Sequence, residues 1–154
     1  MRYALAIAAA ALCAGTAFAD EPAACYIAKD PTGDFVSSKV QPAEADPGTG
    51  GQIKKLMRQY YRETNKCIRK HMEREGGWPN GAAIEYGLRI SPEGKLTQVS
   101  VVEVKNNNDA MLMACIGRTI CEWQLEAKAD GQERLVKVPV SMAELVWHHE
   151  TFKQ

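Results

Sequence analysis

Ala83-Ile84-Glu85-Tyr86-Gly87-Leu88-Arg89-Ile90-Ser91-Pro92-Glu93-Gly94-Lys95-Leu96 is the stretch on which the fold turns. Ile84, Tyr86, Leu88 and Ile90 alternate with Ala83, Glu85, Gly87 and Arg89, the period of a strand with one buried face. Ser91-Pro92-Glu93-Gly94 then reads as a turn: proline fits its second position and glycine accepts a positive φ. Residues 96–104 return as a second strand. Their apolar positions change phase between Val99/Val101 and Val102/Val104, which predicts a bulge or a partly covered outer face.

Upstream of the hairpin, residues 53–75 carry Ile53, Leu56, Met57, Tyr60, Tyr61, Thr64, Cys67, Ile68 and His71 at helical spacing, a single stripe. Gly76-Gly77 ends that helix, and Pro79-Asn80-Gly81 turns the chain toward the hairpin. Downstream, Asn106-Asn107-Asn108-Asp109 offers N-cap residues for a second helix over 110–123. The stripe of that helix is Leu112, Cys115, Ile116, Thr119, Ile120 and Trp123. Residues 133–142 form a third strand with Val136, Val138 and Val140 on one side. Pro139 cannot donate to a ladder, so this strand belongs at a sheet edge. The simplest solution is an α+β fold: two helices packed on one face of a three-stranded antiparallel sheet.

The chain has 154 residues, with 19 Lys+Arg and 19 Asp+Glu. Arg2, the apolar run 4–12 and Ala17-Phe18-Ala19 have the pattern of a cleaved signal peptide over 1–19. Such a run is short of the roughly 20 apolar residues of a permanent anchor. Lipid attachment at Cys13 is the rival reading, but Leu12 stands where a small residue is usual. Cleavage would remove one charged residue, Arg2, and leave a net charge of −1. With no basic excess to neutralise phosphates, nucleic acid is not an expected partner. No later segment has the length and apolarity of a transmembrane anchor. Residues 20–51 form a Pro/Gly-rich leader whose one apolar cluster, Cys25-Tyr26-Ile27, should be tied down while the rest is mobile. The domain proper covers 52–142, and 143–154 is a tail.

Four cysteines remain after cleavage, an even number that favours disulfides in an exported chain. No Cys-x-x-Cys and no close-spaced ligand doublets appear, which argues against redox and zinc motifs. Cys67 and Cys115 each fall inside a helix stripe facing the same sheet, so they are the expected core bridge. Cys121 lies roughly opposite its stripe, and six residues separate it from Cys115, ~9 Å along a helix axis. It is therefore expected to pair with Cys25 and pin the leader to the outer side of the second helix. Buried free thiols are the alternative for all four.

Several segments together resemble the C-terminal domain named after the AgmX and PglI gliding-motility proteins, itself similar to the TonB C-terminal domain. They are the Cys67-Ile68 pair closing a helix, the Leu88–Leu96 hairpin, residues 99–102, Leu112-Met113-Ala114-Cys115-Ile116, and Trp123-Gln124-Leu125. The match covers about residues 53–142. It implies an envelope-facing interaction module with no chemistry of its own and no cofactor, belonging to a transport or motility assembly. Strand addition is the binding mode of TonB itself, where the domain extends from an inner-membrane anchor. This chain has no retained anchor and no long proline-rich spacer, and Gly117 and Cys121 look particular to it. By strand addition an envelope partner would lie along the edge strand, at Leu135, Lys137 and Pro139.

Catalytic patterns are sparse. No nucleophile elbow, His-Glu-x-x-His or phosphate loop appears. His71 at a helix end suits the dipole. His148-His149-Glu150 is the candidate for a metal-binding or enzymatic alternative, although adjacent residues diverge in direction on either regular element.

Overall fold

The computed structural model describes residues 25–35, 47–77 and 81–142. The signal-peptide reading over 1–19, Trp78 to Asn80, and the tail with His148 and His149 lie outside them. In chain order the elements are β1 (Tyr26–Ile27), α1 (Pro47–Gln59), α2 (Tyr61–Glu75), β2 (Ala83–Ile90), β3 (Leu96–Lys105), α3 (Ala110–Cys121) and β4 (Arg134–Ser141). The strands make one sheet in the order β1-β3-β2-β4.

The hairpin behaves as the alternation demands. β2 and β3 pair antiparallel, and Ile84, Tyr86, Leu88 and Ile90 are all fully buried. Gly94 closes the turn at φ +84° with its N–H on the Ser91 carbonyl. The change of phase in β3 is a bulge: Tyr86 pairs with Val101 and Glu85 with Glu103, so Val102 has no opposite residue. That extra residue resets which side chains face the helices.

The sheet has four strands and is mixed, where three antiparallel strands were expected. Tyr26 and Ile27 pair parallel to Val99 and Ser100, and the Val99 N–H donates to the Cys25 carbonyl. A two-residue strand carries no period to read. It forms because the apolar Cys25-Tyr26-Ile27 cluster gains burial beside α3 and β3, which a hydrated leader does not offer. Order also extends further along the leader than expected, since Phe35 is fully buried.

The expected single helix over 53–75 is two. α1 begins at Pro47, inside the Pro/Gly-rich stretch. Proline in the first turn lacks only an N–H that would have no helical partner anyway. The two helices meet at Tyr60 (φ −92°, ψ 13°), and i→i−4 bonds continue on both sides, from Tyr60 to Leu56 and from Thr64 to Tyr60. α2 ends as predicted at Gly76, left-handed at φ 73°, its N–H on the Met72 carbonyl. α3 begins on Asp109, whose carboxylate accepts from the N–H groups of Met111 and Leu112. The core joins Ile53, Leu56 and Ile68 from α1 and α2 with Leu112, Ile116 and Ile120 from α3. They pack over Val99, Val136, Val138 and Val140 of the sheet.

Candidate functional site

Among the described residues β4 pairs only with β2, and it is the edge that Pro139 predicted. Which backbone groups face outward follows from a single bond, the Met142 N–H on the Ala82 carbonyl at 3.0 Å. In an antiparallel ladder the bonded positions recur every second residue. Arg134, Val136, Val138 and Val140 therefore bond inward to β2. Leu135, Lys137 and Ser141 direct their N–H groups to the free side. Pro139, opposite Glu85, falls at an outward position, so its missing donor leaves the β2 ladder intact and interrupts only the free edge. The side chains of Leu135, Lys137 and Pro139 share the sheet face away from the helices. Lys137 lies 3.7 Å from Glu85 there.

Both expected cysteine pairs are disulfides, Cys67–Cys115 with Cα atoms 5.7 Å apart and Cys25–Cys121 with 5.8 Å. The first joins α2 to α3 within the core. The second ties the leader to the flank of α3 at the sheet's β3 edge, not to the outer side of the helix. Gly117, one turn before Cys121, makes this possible: a Cβ there would lie 2.3 Å from the Tyr26 ring. The two positions that look particular to this chain are thus the two that receive β1.

The face of the sheet opposite the helices is partly covered by residues 30–35. Asp30 organises them, accepting from the Thr32 N–H and hydroxyl and from the Phe35 N–H. Burial alone would raise its carboxyl; these bonds and one from Gln98 outweigh that and hold it below the usual range. The Phe35 ring lies on Gly87, where any Cβ would come within 2.4 Å of it. The Arg89 guanidinium stands 5.9 Å from the ring centroid, 2.5 Å from Asp34 and 2.7 Å from Glu133. Partial burial opposes the charge on Arg89, but the two carboxylates more than offset it and raise its pKa. Sequence reasoning missed this site. Its one signal was a glycine within an alternating strand, which marks a close approach.

A second polar cluster joins α2 to α3. His71 Nδ1 lies 2.5 Å from Asp109 Oδ2, and Arg74 also pairs with that carboxylate. Burial pushes the Asp109 carboxyl up, but the His71 bond, the Leu112 and Met111 amides and Arg74 bring it below its usual value. These residues border an open depression of about 530 Å³ with Asn107, Asn108 and Met111. Tyr86 is tied to the same helix, its hydroxyl donating to the Met113 carbonyl at 2.7 Å; burial raises its pKa well above the usual value. Arg134, also buried, donates to the Thr49 hydroxyl and the Glu126 carbonyl. Among the described residues no three potential ligands cluster to hold a metal ion, and no helix is long and apolar enough to cross a membrane.

In comparison with known proteins, no family model, curated protein or solved structure matches this chain.

Proposed function

We propose that this chain is an exported, non-catalytic interaction module of the cell envelope, which takes up an extended partner segment along the free edge of β4. The observation that carries the reading is the edge itself. The outward N–H groups of Leu135 and Lys137 form a donor pair next to Pro139, which limits how far a partner strand can extend. The likeness to the AgmX/PglI and TonB C-terminal domains supports the same mode and a place in a transport or motility assembly. Two disulfides support an oxidising compartment, where such bonds persist.

The experiment replaces Leu135 with a photo-crosslinking residue in intact cells and adds Lys137→Pro. Because the Lys137 N–H faces away from β2, proline there removes an edge donor and spares the internal ladder. A discrete adduct that disappears with Lys137→Pro, at unchanged thermal stability, is the expected result. Adducts no different from those formed with the crosslinker on the exposed Arg58 end the proposal.

A further inference from the structure

The segment 28–35 is held to the sheet as a bound peptide would be. Its sheet contacts come from side chains: Gln98 donates to Asp30, and Arg89 donates to Thr32 and Asp34. Phe35 is the anchor, fully buried at the end of a run in which Ala28, Lys29, Pro31, Thr32 and Gly33 are exposed. The receiving surface is shaped for that residue. Gly87 leaves the space of a side chain, and Arg89 offers one cation to both the aromatic face and the carboxylate before it. Upstream, a two-residue strand, the Tyr26 ring on Gly117 and the Cys25–Cys121 bridge fasten the segment.

We propose that this socket on the outer sheet face is a docking site for a partner peptide in which a carboxylate residue immediately precedes an aromatic one. The chain's own Asp34-Phe35 occupies it as a built-in competitor. The occupant defines the ligand chemistry: a carboxylate for Arg89 and a flat ring for the Gly87 gap. Tethering keeps the internal copy at an effective concentration on the order of millimolar, so a free peptide gains access only where the anchor is lost or outcompeted. The socket lies on the sheet's face, and its occupation needs none of the edge donors of β4.

The test uses the full oxidised chain with Phe35→Ala, and the probe is the synthetic hexapeptide Asp-Pro-Thr-Gly-Asp-Phe. The expected result is saturable binding at least about tenfold tighter than to the unsubstituted chain, whose socket is filled. A peptide ending in Ala should not bind. Arg89→Gln in the Phe35→Ala chain should weaken binding by about tenfold. Thermal unfolding supplies a second readout, with peptide raising the Tm of the Phe35→Ala chain. Equal affinity for both proteins overturns the proposal. So does a Phe35→Ala chain, folded or not, that millimolar peptide neither binds nor stabilises.

Discussion

Asp109 does three things with one carboxylate. One oxygen caps α3 through the Met111 and Leu112 amides, and the other takes His71 and Arg74 of α2. Replacing it with alanine removes the cap and leaves a nearly buried His71 Nδ1 unpaired, a combined loss of about 2 kcal/mol in urea unfolding at neutral pH. Asp109→Asn keeps a capping oxygen and should lose less. The pH dependence follows from the lowered carboxyl. Its folded value lies below its unfolded value of about 3.9, so its stabilisation is complete above the unfolded value and fades as pH falls through the folded one. The gap between the unsubstituted chain and Asp109→Ala should therefore narrow below about pH 4. A gap that stays constant down to the acid transition would show that the charge contributes nothing. The cap was legible in Asn106-Asn107-Asn108-Asp109 because its signal is local. The Asp109–His71 contact was not, since it joins residues 38 apart in the chain.

At the scale of elements, the two disulfides differ in what they constrain. Loop entropy alone assigns about 4 kcal/mol to Cys67–Cys115, with a separation of 48, and about 5 kcal/mol to Cys25–Cys121, with a separation of 96. The larger number should not be realised. Cys25 belongs to a segment fastened by a two-residue strand and one aromatic anchor, which can open while α2, α3 and the hairpin stay folded. Replacing Cys67 and Cys115 with alanine should cost roughly 4 kcal/mol of global stability. Replacing Cys25 and Cys121 with serine should cost about 1 kcal/mol or less, while the Val99 amide, bonded to the Cys25 carbonyl, loses hydrogen-exchange protection. Equal losses from the two pairs would refute the ranking. Elements long enough to show a period, the hairpin and α3, could be read from sequence. β1 could not, because two residues have no period, and the start of α1 was hidden because Pro47, Gly48, Gly50 and Gly51 usually mark loops.

For the whole molecule, the decisive feature is that among the described residues a four-stranded sheet ends at β4, with the N–H groups of Leu135, Lys137 and Ser141 directed outward. A twofold partner copy laid antiparallel along β4 would continue the sheet through both chains, the common route by which exposed edges associate. Pro139 works against this by leaving no N–H at an outward position. Its role at the edge was visible in the sequence because proline excludes ladder bonding whatever the tertiary context. The outward side of the remaining residues needed the Met142–Ala82 bond. Pro139→Val restores one donor on each of two pairing strands, about 1 kcal/mol net apiece. It should therefore strengthen self-association by roughly thirtyfold. Sedimentation velocity across a concentration series measures this directly, and adding Lys137→Pro to the same chain should reverse it by removing the neighbouring outward donor. Should Pro139→Val associate no more strongly than the unsubstituted chain, the free side of β4 is not available for pairing. The proposal that a partner strand docks there would then fail with it.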